Sequence, residues 1–185
     1  MNEVFLSITY KEMIFIFTYF ETERLHVRQY TLNDLEALYQ IMSDSRIHIY
    51  TKDKNNPWDK RRTKEYIQFM IKKDFRTFDC FHGAVIQKNN NRLIGLCGLN
   101  PYNFKEPEIE WKLGITFWGK GYATELGKQM IQKAFDETDI KGIYGMAQLD
   151  NKASCRVLEK IGMKYMGTDI FRNHEDAFYY INRNQ

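Results

Sequence analysis

Apolar residues fall on every second position of Arg24-Leu25-His26-Val27-Arg28, the spacing of a strand with one buried face. The period then changes. Thr31 is placed to accept from the free amides of a first helical turn and Asp34 suits the positive end of a helix. Leu35, Leu38, Tyr39 and Met42 recur along one face. A second helix is predicted from about Asp59, after Pro57, with Tyr66, Ile67, Met70 and Ile71 inward and Lys60, Arg61, Arg62 and Lys64 on a solvated face. Phe81 to Gln87 and Arg92 to Leu99 flank Asn89-Asn90-Asn91, residues that accept the left-handed backbone of a tight turn, so an antiparallel hairpin is expected.

The remaining pattern predicts a strand from Glu108 to Ile115 and a helix from Gly121 to about Phe135. A short strand Ile143 to Ala147, a helix Asn151 to Ile161 and a final hairpin ending in Phe178-Tyr179-Tyr180-Ile181 follow. That order gives an α+β fold of three-layer type on one mixed sheet, and its central βαβ unit requires at least one parallel strand pair. Residues 21–185 read as one domain, and 1–20 as an extension that is either an extra strand or a stretch ahead of a true start at Met13. No repeat or low-complexity segment is present.

Composition narrows the class. A chain of 185 residues buries roughly 70% of its unfolded surface on folding. With 43% hydrophobic and 28% charged residues, 3 prolines and 11 glycines, the whole chain is expected to be ordered. The net charge of +3, from 27 basic and 24 acidic side chains, is too even for a nucleic-acid footprint. Cys80, Cys97 and Cys155 are widely spaced and His26, His48, His82 and His174 scattered, so no metal site is expected. The apolar run from Met13 to Phe20 is far short of the ~20 residues that span a bilayer, and it lacks the small-residue cleavage site of a signal peptide. The expectation is a cytoplasmic protein with reduced cysteines and no membrane partner.

Gly119 and Gly121 stand at a helix start. Such a start exposes unpaired amides and about half a positive charge, and glycine lets a phosphate approach. Lys120 adds a cation. A plain strand-to-helix turn, with glycine only relieving the backbone, is the competing reading.

The segment Trp118-Gly119-Lys120-Gly121-Tyr122-Ala123-Thr124-Glu125 resembles the acetyl-CoA pyrophosphate loop of GNAT acetyltransferases. Its Trp-Gly-Lys-Gly-Tyr-Ala form is that of the branch that includes the ribosomal-protein N-terminal (alanine/serine) acetyltransferases. Asn151-Lys152-Ala153-Ser154-Cys155-Arg156-Val157-Leu158-Glu159-Lys160-Ile161-Gly162-Met163 is similar to the branch's later helix, and Glu21-Thr22-Glu23-Arg24-Leu25-His26-Val27-Arg28 to its first strand. The resemblance covers nearly everything from Glu21 on. It implies a mostly antiparallel central sheet with helices on both faces, acetyl-CoA as cosubstrate, and transfer to a primary amine of a protein N-terminus or a small molecule. A homodimer remains open.

The resemblance also assigns roles. Leu113, Gly114 and Ile115 would bind the pantetheine arm and acetyl carbonyl through their backbone, Trp118 to Thr124 the pyrophosphate, and Asn151 the cofactor arm. Alternation puts Glu108, Glu110 and Lys112 on one strand face and Ile109, Trp111 and Leu113 on the other. Glu108 matches the family's frequent glutamate and is the leading general base. Glu110 stands where the branch often has glycine and is the second candidate; a solvated face partnered by Lys112 is the alternative for both. Leu158 occupies the place of the family's usual tyrosine acid, leaving Ser154 as the implied acid, although Asn151 and Ser154 also suit an ordinary helix start. Cys155 reads as a buried structural thiol rather than a nucleophile. Acceptor specificity is expected from Ile47 to Trp58 and from Phe171 to Asp176, with Tyr50, Trp58, Tyr102 and Phe104 as aromatic candidates. A catalytically silent acyl-CoA-binding module is the alternative to an enzyme.

Overall fold

In the computed structural model, which describes residues 16–73, 80–101, 106–171 and 174–184, a strand stands ahead of the first predicted one. This β1 (Thr18–Glu21) pairs antiparallel with β2 (Leu25–Arg28), which realises the extra-strand reading for those residues. Met13 lies outside the described residues.

The chain enters α1 (Leu35–Met42) through a 3-10 turn, Leu32–Asp34. Asp34 does more than face a helix dipole. It is buried, accepts from the Thr31 amide at 2.7 Å, and is gripped by both terminal nitrogens of Arg28 at 2.8 Å, which ties β2 to the helix start. Asp59 caps α2 (Lys60–Lys72) by accepting from Arg62 N–H at 2.6 Å. Thr63, Ile67 and Met70 form its buried stripe, whereas Ile71, expected inward, lies about 100° round from Met70 and is 42% exposed.

The predicted hairpin is β3 (Phe81–Gln87) and β4 (Arg92–Pro101), turned through Asn91 at φ 52. Next come β5 (Pro107–Leu113), a 3-10 turn Ile115–Phe117, α3 (Tyr122–Glu137), β6 (Gly142–Gln148), α4 (Lys152–Lys160), β7 (Lys164–Phe171) and β8 (His174–Asn182). The strand expected to reach Ile115 stops at Leu113, because Gly114 redirects the chain into the 3-10 turn.

Among the described residues the sheet has the order β1-β2-β3-β4-β5-β6-β8-β7. Every neighbouring pair is antiparallel except β5 and β6, which share the single register pair Glu108↔Tyr144 at their N-terminal ends. Beyond that pair the two strands run on without pairing, to Leu113 and Gln148. Helices α1 and α2 cover one face and α3 and α4 the other. A Cβ on Gly127 of α3 would come within 2.9 Å of Ile161, so glycine there lets α3 approach the end of α4. Leu126 and Met130 of α3 are fully buried, each contributing roughly 1.5–3 kcal/mol of burial. No helix among the described residues is long and apolar enough to cross a membrane.

Candidate active site

The turn into α3 is built from two left-handed glycines, Gly119 at φ 72 and Gly121 at φ 81, a backbone that L side chains rarely adopt. The first helical bond runs from Glu125 N–H to Gly121 O at 3.0 Å, and Gly121 as N-cap has no side chain to cap the amides before it. The N–H groups of Tyr122, Ala123 and Thr124 thus form an open first turn, with the helix dipole behind them. The Tyr122 side chain is structural: it is buried and its hydroxyl accepts from Gln87 Nε2 at 2.7 Å.

Arg24 braces this turn from β2's side. Its guanidinium donates to Lys120 O at 3.0 Å and lies 4.4 Å from the Tyr122 ring centroid. It also bonds Glu125 Oε2 at 2.6 Å. Glu125 accepts from Thr22 Oγ1 as well; burial would raise its carboxyl pKa, but the Thr22 and Arg24 contacts together lower it. Sequence reading placed Arg24 in a family-like strand without a role at the loop, because the contact spans β2 to α3.

The cleft for a linear ligand follows from the sheet. Gly114 N–H donates to Ile94 O at 2.9 Å, so the adjacent Leu113 carbonyl points to the opposite edge of β5, toward β6. Trp118 Nε1 donates to that carbonyl at 2.7 Å. The carbonyl of Leu113 is therefore engaged within the protein, and its N–H is the group left on that edge. Trp118 is 51% exposed and fastens the loop to the end of β5. Gly114 lies against Ile41 and Phe117, whose side chains a Cβ would meet at 3.3 Å, and Ile115 opens the 3-10 turn.

The two strand carboxylates part company. Glu110 lies 3.1 Å from His82 Nδ1, and His82 Nε2 contacts Asn100 Oδ1. Burial would raise the Glu110 pKa, but the adjacent His82 ring, Lys112 and Asn100 outweigh it and hold the group at about 2. Its charge, after burial, pushes up the Tyr66 hydroxyl and the Cys97 thiol. A carboxylate held this low is a poor base near neutrality. His82 and Asn100 went unnoticed in the sequence because cross-strand register alone unites them with Glu110.

Glu108, two residues earlier on the same strand face, has other surroundings. It lines a cavity of about 340 Å3 whose other walls are Tyr50, Lys52 and Lys54 between α1 and α2, residues 146–148 of β6, and His174 and Asp176 of β8. Both segments expected to set specificity therefore reach this cavity. Trp58 does not line it: it is buried, stacks near His48 and Tyr66, and donates through Nε1 to Asp53 at 3.0 Å. Asp53 also accepts from Arg62 at 2.7 Å; burial opposes ionisation there, yet Trp58 and Arg62 lower its pKa. Tyr102, Phe104 and residues 172–173 lie outside the described residues.

At α4, Asn151 Oδ1 accepts from Ser154 N–H at 3.2 Å, the N-cap alternative realised, which leaves the amide nitrogen of Asn151 as its donor. Ser154 is half-buried in the first turn. Cys155 is buried with Sγ 3.9 Å from Gln148 O, a structural thiol, and Leu158 packs toward Gly145 of β6.

With this geometry in place, the similarities to known proteins are informative. Residues 24–164 match the acetyltransferase (GNAT) domain family. An uncharacterized N-acetyltransferase p20 of Bacillus licheniformis is 29% identical over 84% of this chain and 86% of its own. A GNAT-family acetyltransferase structure from Bacillus anthracis superposes with a TM-score of 0.79 at 26% identity, over 91% of this chain and all (100%) of that one. The microcin C7 self-immunity acetyltransferase MccE, solved with acetyl-CoA and AMP, shares the fold with a TM-score of 0.73 at 20% identity, over 86% and 93% of the two chains. The match spans the braced loop, the splayed strands and the α4 start alike, and the chain belongs to the GNAT acetyltransferase family as an acetyl-CoA-dependent acyltransferase.

Proposed function

We propose that the protein moves the acetyl group of acetyl-CoA to a primary amine by direct transfer in a ternary complex. One observation carries this reading: β5 and β6 pair only at Glu108↔Tyr144 and part beyond it, with Glu108 lining a cavity and β5 leading on to the uncapped start of α3. Donor and acceptor have separate approaches to one point.

In this reading the amides of Tyr122, Ala123 and Thr124, with Gly119, Lys120, Gly121 and the exposed Trp118 around them, take the pyrophosphate. The backbone of Leu113, Gly114 and Ile115 and the Asn151 amide take the pantetheine arm, and a backbone N–H polarises the acetyl carbonyl. Glu108, directly or through a water, removes the ammonium proton. The nitrogen bonds to the acetyl carbon, and as the C–S bond breaks the Ser154 hydroxyl gives its proton to the leaving thiolate and takes the second proton from the new amide nitrogen, directly or through a water. Glu110 shapes the field from its His82 pair without exchanging protons. The Trp118–Ala123 form resembles the branch that acts on ribosomal-protein α-amines, so a protein N-terminus and a small amine both count as primary-amine acceptors here.

Mixing the protein with acetyl-CoA and an amine panel tests this. Free thiol is expected only when both substrates are present, with acetylated amine in equal amount. Binding of acetyl-CoA without thiol release for any amine would overturn the transfer reading in favour of a silent acyl-CoA-binding module.

A further inference from the structure

The cavity beside Glu108 carries both signs of charge, sorted by element. Glu108 from β5 and Asp176 from β8, the latter 8% exposed, stand on the sheet side. Lys52 and Lys54 stand on the opposite wall, in the connection between α1 and α2; both are exposed, and neither has an ion-pair partner among the described residues. Between them the buried Asp53, bonded to Trp58 and Arg62, anchors the segment, so the two ammonium groups belong to a held wall. A neighbouring cavity of about 90 Å3 is lined by Asp150 and Glu175, which makes the β8 end hostile to an anion. The lysine wall is thus the place for one.

We propose that the acceptor is a small molecule bearing a primary amine and, a few bonds away, an anionic group, either a carboxylate or a phosphate. This rests on the transfer reading above. An amine arriving as ammonium is drawn toward Glu108 and Asp176, while the anion meets Lys52 and Lys54. A polyamine entering the same way sets its second ammonium against two lysines, a like-charge contact that selects against it. The volume of about 340 Å3 falls in the range of small-molecule sites, and a compact acceptor fills it without threading a polypeptide.

The test is a set of matched acceptors assayed with acetyl-CoA by thiol release: γ-aminobutyrate against its amide, O-phosphoethanolamine against ethanolamine, and spermidine. Because exposed lysines are screened, kcat/KM is expected to favour the anionic member of a pair by roughly three- to tenfold. The preference is expected to shrink at high salt and in a K52Q/K54Q double variant, and the two pairs show which anion is read. Equal rates within both pairs, a preference for the neutral member or spermidine, or a preference that survives in the double variant would overturn the proposal. Turnover without charge preference removes only this inference, whereas no turnover with any amine removes the transfer reading on which it rests.

Discussion

Arg24 and Glu125 are joined at 2.6 Å across 101 residues of sequence, and the same guanidinium reaches Lys120 O and stands over Tyr122. One side chain thereby joins the loop and the helix that the proposed function sets against the pyrophosphate. Arg24→Gln is expected to raise the KM for acetyl-CoA roughly tenfold, about 1.4 kcal/mol, with kcat little changed. Acetyl-pantetheine, which lacks the pyrophosphate, separates the roles: its kinetics are expected to stay as they are if Arg24 positions the loop, and to fall in parallel if the variant merely loosens the fold.

Gly121 offers a sharper probe, since its φ of 81 and its place at the helix start make both conformation and space matter. Gly121→Ala adds roughly 1–2 kcal/mol of left-handed strain, and Gly121→Glu adds bulk and a negative charge beside the open amides. Calorimetric titration is expected to show acetyl-CoA affinity falling modestly for alanine and by more than tenfold for glutamate. An unchanged affinity in the glutamate variant would move the pyrophosphate off this loop.

Local chemistry explains what could be read from the sequence. Gly119 and Gly121 mark a helix start, Asp59 and Asn151 announce helix starts of their own, and period-2 alternation set Glu108 and Glu110 on one face; these hold in the fold, where both glycines also take up left-handed backbone. The illegible parts are those that need register between distant segments. Glu110 looked like a second base because its pairing with His82 depends on β3–β4–β5 alignment, and Trp58 looked like a cleft aromatic because its Asp53–Arg62 partners come from a loop and a helix face. Lys52 and Lys54 carry no periodic signal at all.

Asp53 joins the proposed acceptor wall to α2 through Trp58 and Arg62, so its removal is expected to act on one substrate only. Asp53→Ala strands a buried indole N–H and loosens residues 49–58, at a cost of about 1–3 kcal/mol in stability. Steady-state kinetics are expected to show a higher KM for the amine with the KM for acetyl-CoA retained. Equal effects on both substrates would make Asp53 a general scaffold residue.

Glu110 makes acid stability predictable. Its pKa in the fold, about 2, lies below the ordinary 4.5, so the unfolded chain binds more protons between those values and stability falls as pH falls through them. The contribution is fully present above about pH 5 and amounts to no more than about 3 kcal/mol. Denaturant titrations are expected to show Glu110→Gln less stable than wild type near neutrality, with the gap closing toward pH 2. A gap that stays constant would mean that the His82 pair does not hold the carboxylate's charge.

In the proposed transfer Glu108 is the carboxylate that removes the proton, and its test lies in a pH profile rather than in a rate alone. Below the amine's own pKa the acceptor arrives protonated and needs a base; as pH approaches that pKa the free amine supplies itself. Glu108→Gln is therefore expected to lower kcat/KM by about 10²–10³ on the acidic side, with the deficit narrowing as pH rises. Glu110→Gln, which disturbs a carboxylate held at about 2, is expected to leave the shape of the profile unchanged. A Glu108→Gln deficit that is uniform across pH would reassign Glu108 from proton acceptor to an electrostatic anchor for the incoming ammonium, and solvent or the amine itself would then carry the proton away.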